Sequence, residues 1–145
     1  MVNYRRDYSP GASYFFTLAL IDRKSRYLTN HIDCLRNAFQ AIKLKSHFIT
    51  HAIVILPEHF HCVWQLPEND SDYLQRIRLI KTHFTQSLLL LNIPLQKNSR
   101  GNVKLWQTRF WEHRIRDDKD LKAHVGSCCQ RSYVHSIKAL KVSFS

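Results

Sequence analysis

The stretch from His47 to Leu66 constrains this chain most. His47–Leu56 is dominated by apolar and β-branched residues, Pro57 and Glu58 interrupt it, and Phe60-His-Cys-Val-Trp-Gln-Leu66 resumes a strand-like run. Two strands joined by so short a connection pair antiparallel, because a parallel return needs a crossover of a dozen or more residues.

The flanking segments supply the rest of a sheet and its helices. Ser13–Ile21 is rich in aromatic and apolar residues and reads as a first, buried strand. After a polar connection over Asp22–Arg26, a helix opens near Asn30 or His31. Its residues Ile32, Leu35, Ala38, Phe39, Ile42 and Leu44 lie mostly at helical spacing, with Arg36, Lys43 and Lys45 toward solvent. Pro67–Ser71 is a loop with helix-capping residues. Tyr73–Leu91 predicts a long helix whose apolar stripe is Leu74, Ile77, Ile80, Phe84, Ser87, Leu88 and Leu91, with Arg76, Arg78 and Lys81 on or near the other face. Asn92–Asn102 is a polar loop. Lys104–Arg116 reads as a fourth strand, and Asp117 or Asp118 caps a last helix from near Lys119. The order β-α-β-β-α-β-α is the α+β, ferredoxin-like split βαβ order: an antiparallel sheet with helices on one face, plus an extra C-terminal helix. Without an internal repeat, low-complexity segment or linker, residues 1–145 read as one domain.

Charge narrows the function. The 22 Lys and Arg outweigh the 11 Asp and Glu, giving a net charge of +11. So basic a small domain points to a polyanion, nucleic acid first. Apolar runs such as Ala52–Leu56 and Leu88–Leu91 fall far short of the roughly 20 residues that cross a bilayer, so no membrane partner is expected. The basic start Met1–Arg6 is not followed directly by an apolar stretch with a cleavage site, which predicts a cytoplasmic protein. Cys34, Cys62, Cys128 and Cys129 fit no zinc-ribbon or disulfide spacing.

Chemistry concentrates at His59 and His61. Residues two apart on a strand share a face, so two imidazoles can converge on one metal ion. Phe60, Cys62 and Trp64 supply apolar support. A metal here suits phosphodiester chemistry, because it polarises a phosphoryl oxygen. A tyrosine could serve as nucleophile and preserve the bond energy in a phosphotyrosine link. If Cys62 instead joined the histidines, a zinc site of another role would follow.

Leu56-Pro-Glu-His-Phe-His-Cys-Val-Trp64 resembles the strand-turn-strand signature of the single-tyrosine HUH transposases, and within them the REP-associated tyrosine transposases. Tyr4-Arg-Arg6, Tyr14-Phe-Phe-Thr17, Arg78-Leu-Ile-Lys81 with Phe84-Thr85, and Leu105–Arg116 are similar to that branch in the same order, so the resemblance spans about residues 4–125. It implies a ferredoxin-like fold, magnesium or manganese held by His59 and His61, and cleavage of single-stranded DNA beside hairpins through a 5′-phosphotyrosine. It also implies a bacterial, nucleoid-associated protein that acts as a monomer or homodimer.

The C-terminal end departs from the family pattern, which continues His-Val-Asp-Tyr-Ile-His-x-Asn-Pro with the first Tyr as nucleophile and an Asn or Gln one helical turn later as third ligand. This chain reads His124-Val-Gly-Ser-Cys-Cys-Gln-Arg-Ser-Tyr-Val-His135. Without a gap, Ser127 takes the tyrosine position and Arg131 the ligand position. With roughly six residues inserted, Tyr133 takes the tyrosine position, after a helical shift of about 9 Å and 240° that a bulge at Gly126 would have to absorb. Gln130 is then the substitute third ligand. Two functions stay open: a strand-transfer enzyme acting through Tyr133, and a relative that only binds hairpin or single-stranded DNA.

The expected DNA contacts are Arg5, Arg6, Arg23, Lys24, Arg76, Arg78, Lys81, Arg109, Arg114 and Arg116, with Trp111. Arg109 and Trp111 would share one strand face, where an aromatic and a guanidinium suit unpaired bases. Trp106 and Phe110 read as core.

Overall fold

The computed structural model describes residues 10–117, 119, 120, 122 and 123. Its elements are β1 (Ser13–Ala19), α1 (Tyr27–Asn30), α2 (Ile32–Lys45), β2 (Ile49–Ile55), β3 (His59–Gln65), α3 (Tyr73–Leu90) and β4 (Trp111–Arg114). The strands form a sheet in the order β2-β3-β1-β4, with every pairing antiparallel. β3 therefore lies between β1 and β2, the split βαβ order expected from the sequence.

Period-two alternation explains the main core. Tyr14, Phe16 and Leu18 of β1 and Phe60, Cys62 and Trp64 of β3 point to the helical side. There they meet Leu35, Ala38, Phe39 and Ile42 of α2 and Tyr73, Ile77, Ile80, Phe84 and Leu88 of α3. Trp64 is fully buried, with its ring 4.3 Å from Phe48, 5.1 Å from Phe16 and 5.9 Å from Phe39. Truncating such a ring typically costs about 3–5 kcal/mol, so this cluster seats the helices firmly. The opposite face is also partly covered: Phe15, Val54, Leu56 and Val63 cluster there with Ala52 and Ile115.

Local signals set the ends of α3. Asp72 caps it, its carboxylate accepting the Gln75 N–H at 3.1 Å. At the other end Asn92 adopts φ 60°, and the N–H groups of Asn92 and Ile93 donate to Leu89 and Leu88. That is a Schellman closure with Asn in the left-handed position. The Asn92–Asn102 loop is tightly folded. The Asn98 side chain accepts from the backbone of Arg100 and Asn102, and Lys97 bridges to Val103.

Four expectations are corrected. The fourth strand is short: beyond the Thr17–Trp111 pair the ladder resumes only as the Leu20–Trp106 bridge, so residues 107–110 pass Leu18 and Ala19 with two residues too many for regular pairing and keep only a few backbone bonds. Trp106 and Phe110 are half-buried against the main core rather than enclosed by it. Leu44 (86% exposed) and Leu91 (55%) fall off the apolar stripes, each at a helix end beyond the last packed turn. Arg76, expected toward solvent, is buried. Of the predicted last helix, Asp117 is seen to accept the Asp120 N–H at 2.7 Å, as a capping residue does, and residues 119, 120, 122 and 123 are helical.

Candidate metal and nucleic-acid site

The register of the inner strands builds the site. His61 lies opposite Thr17 and His59 opposite Ala19, on the face turned away from the helices. Thr17 Oγ1 is 2.7 Å from His61 Nδ1. Phe15 stacks on the His61 ring at 5.6 Å, and Val54 pairs with His61 from the other side. His61 is thus buried at 3% exposure, while His59 stays more open.

His59 is held from below. Its Nδ1–H donates to Glu58 Oε1 at 2.6 Å, and the Arg23 guanidinium forms an ion pair with the other Glu58 oxygen, Nε lying 3.2 Å from it. The turn that carries Glu58 is itself pinned. The Pro57 carbonyl accepts the Leu28 N–H and the Glu58 carbonyl accepts the Leu20 N–H.

Both imidazoles are therefore anchored through Nδ1. An ionised carboxylate can only accept, so Glu58 fixes the His59 tautomer with the Nε2 lone pair free for a ligand role. The tautomer of His61 in which Thr17 accepts from Nδ1–H presents Nε2 in the same way. The rings sit 5.0 Å apart with planes at 81°. A first-row metal lies about 2.1 Å from an imidazole nitrogen, so one ion can bridge such a pair. A carboxylate behind a ligand histidine is the usual outer-sphere support. The pair fits a divalent ion but does not complete a site: among the described residues no group of three His, Cys, Asp or Glu is placed to hold a metal. Gln130, the expected third ligand, and Tyr133, the expected nucleophile, lie outside the described residues.

Cys62 cannot join the histidines. It alternates to the helical side and is 1% exposed within the main core, which removes the Cys62-containing zinc site.

The expected DNA-contact residues separate into groups. Arg23 reaches the site through Glu58, and Lys24 is exposed beside it. Trp111 is 49% exposed on the histidine face, opposite Thr17, packing edge-on against Phe15 and stacking on His113. Arg114 pairs with Tyr14 and so belongs to the helical side, and Arg109 precedes β4 rather than sharing a strand face with Trp111. Arg109, Arg114 and Arg116 are exposed. Arg78 and Lys81 lie together on α3. Arg76 is 2% exposed and donates to the carbonyls of Ser46, His47 and Asp72 and to Asp70, so it cannot also contact a phosphate. Arg5 and Arg6 lie outside the described residues.

Sequence reasoning missed Thr17, Glu58 and Phe15 as supports of the histidines. Glu58 had a visible signal, an acid adjacent to a candidate ligand. Thr17 and Phe15 had none, because only strand pairing brings them there.

An inner strand carrying two anchored imidazoles on the open face of a split βαβ sheet defines the class to which the sequence pointed, the HUH-type proteins. No protein-family model matches the chain. The chain is 47% identical over 127 residues to a Haemophilus influenzae protein assigned to the REP-associated tyrosine transposases, covering 86% of this chain and 72% of that protein. It is 44% identical over 125 residues to the REP-associated tyrosine transposase of Escherichia coli K12, covering 86% of this chain and 68% of that one. The structure of a REP-associated tyrosine transposase bound to a REP hairpin superposes with a TM-score of 0.80 at 40% identity, over 93% of this chain and 74% of that one. A Deinococcus radiodurans protein assigned as a transposase shares the fold, with a TM-score of 0.58 at 13% identity over 90% of this chain and 97% of that one. The chain belongs to the REP-associated tyrosine transposases.

Proposed function

We propose that this protein is a metal-dependent nicking and strand-transfer enzyme for single-stranded DNA at hairpin-flanked sites in the bacterial cytoplasm. The observation that carries the reading is the pair of imidazoles anchored through Nδ1 on the open sheet face. His59 and His61 would hold magnesium or manganese, with Gln130 as third ligand. When bound, the ion supplies charge that polarises a non-bridging phosphoryl oxygen.

The protein's own groups do the remainder. Glu58 and Thr17 hold the two rings in orientation. Trp111, beside Phe15 on the same face, offers a surface on which an unpaired base stacks. The Tyr133 hydroxyl attacks phosphorus: the Tyr133 O–P bond forms, the P–O3′ bond breaks, and the phenolic proton ends on the departing 3′ oxygen. The product is a 5′-phosphotyrosine and a free 3′-hydroxyl, and attack by another 3′-hydroxyl reverses the step on a new strand. A second reading follows from the altered C-terminal motif, in which the chain binds hairpin DNA without cleaving it.

Covalent trapping separates the two. The protein is mixed with manganese and labelled single-stranded DNA carrying the hairpins that flank its own gene. An adduct resistant to SDS that disappears in Tyr133→Phe is the expected result. Hairpin binding with no adduct would refute the enzyme and leave the binder.

A further inference from the structure

The open sheet face carries a third histidine. His113 pairs with Phe15 across β1 and β4, so it points the same way as Phe15 and His61, with Trp111 and Ile115 flanking it on that face. Its ring stacks on Trp111 at 5.8 Å with the planes 6° apart. Trp111 packs edge-on against Phe15, which in turn lies on His61. A row of ring contacts thus runs from the ligand histidine to His113. The two ends of the row are held differently. His59 and His61 are anchored through Nδ1, whereas His113 commits Nε2, at 2.9 Å from Asp120 Oδ2. An ionised carboxylate only accepts, so His113 Nε2 carries the proton and has no lone pair for a metal.

Asp120 gathers more than this one bond. The same oxygen accepts the Arg116 N–H at 3.0 Å, and the Asp120 N–H donates to Asp117 Oδ1 at 2.7 Å. Asp117 and Asp120 therefore close a capping box at the start of the last helix. A capping box closes on its own and needs no partner in a sheet. Here it is bonded to one. The Ile115 N–H still donates to the Ser13 carbonyl at 2.8 Å, and the next N–H, that of Arg116, turns to Asp120 instead. Asp120 thus clasps the chain where it leaves the sheet. The side chains of His113 and Asp120 are 28% and 20% exposed, so solvent screens this charge-assisted bond less than it would a surface pair.

We infer that His113 is a positioning residue for the nicking reaction: through Asp120 it fixes the direction in which the chain leaves β4, and so the approach of the segment carrying Tyr133 to the histidine pair. The inference rests on the strand-transfer reading above. Tyr133 follows Asp120 along the chain, so an error in the exit direction is carried forward to the nucleophile. A displacement of about 1 Å at a reacting group costs roughly 100-fold in rate. His113 needs to touch neither metal nor phosphate to have this effect.

Two readouts on the same variants test this. One is the single-turnover rate of the SDS-resistant adduct with manganese and labelled DNA carrying the flanking hairpins. The other is amide hydrogen exchange across residues 115–123. His113→Ala should slow adduct formation by about 10–100-fold and speed exchange of the Arg116 and Asp120 amides by about fivefold. Hairpin affinity and manganese affinity should stay at wild-type values. His113→Gln should restore both rates, because its amide nitrogen reaches the place of Nε2 and also donates. Asp120→Ala should slow the adduct as well, and the double variant should be no slower than Asp120→Ala alone. Unchanged exchange in His113→Ala would overturn the fastening. Faster exchange with a wild-type adduct rate would overturn the positioning role and leave a helix cap. Hairpin affinity that falls in step with the rate would overturn it too, by marking a DNA contact. A wild-type protein that forms no adduct removes the strand-transfer reading and the positioning of Tyr133 together, and exchange alone then upholds or overturns the fastening.

Discussion

Arg76→Ala should cost stability and leave the intrinsic DNA contacts untouched, the reverse of what a basic residue in a basic DNA-binding protein suggests. The guanidinium is 2% exposed and makes four donations: Nε to Ser46 O at 3.2 Å, Nη1 to Asp72 O at 3.0 Å, and Nη2 to His47 O at 2.8 Å and Asp70 Oδ2 at 2.8 Å. It thereby ties the start of α3 to the connection between α2 and β2. Hydrogen bonds from a charged donor are worth about 1.5–3 kcal/mol each. Asp70 and Asp72 lie near solvent and can rehydrate, so only part of that sum is lost. Removing one partner of a buried pair costs about 3–5 kcal/mol, and the lower end applies here, about 3 kcal/mol. For a chain of this size that is a fall of roughly 10 °C in melting temperature. Arg76→Lys should recover less than half, because one ammonium cannot span acceptors on separate segments. Thermal and urea unfolding give the loss, and anisotropy with the hairpin that flanks the gene, well below the variant's midpoint, gives affinity. An unchanged midpoint with weakened hairpin binding would refute this account of Arg76.

Glu58→Gln should weaken manganese binding, read by electron paramagnetic resonance or calorimetry, by about 10–100-fold, as loss of a partner behind a ligand histidine does; unchanged affinity would show that Glu58 does not orient His59. Trp111→Ala should weaken binding of unpaired DNA by about 1–3 kcal/mol with little change in salt slope, and equal affinity in a titration would count against stacking on this face. The Arg76 hydrogen bond, with help from the Asp72 N–H, holds the Asp70 carboxyl below the usual carboxylate range. Its stabilisation is therefore present above that range and lost as pH falls through the depressed value, so the melting temperatures of wild type and Asp70→Asn should differ at neutral pH and converge in acid; a constant difference would contradict the linkage.

The order of elements was legible in the sequence because each is amphipathic at its own period. Tyr14, Phe16 and Leu18 alternate at two, while Ile77, Ile80, Phe84 and Leu88 recur near 3.6, and burial follows both patterns. His59 and His61 were legible for the same reason, since strand spacing alone puts them on one face. Asp117 as a helix cap was legible from its chemistry. What periodicity cannot encode is which element stands next to which. The bond from Thr17 to His61, across 44 residues, exists only because β1 pairs with β3 in one register. The shortness of β4 depends on how residues 107–110 pass Leu18 and Ala19, and the burial of Arg76 depends on α3 crossing the α2–β2 connection. A charged residue reads as exposed until tertiary structure brings it enough acceptors. Local sequence thus determined the elements and the ligand pair. Long-range pairing, which joins residues whose proximity no local propensity records, decided the support of the histidines and the role of Arg76.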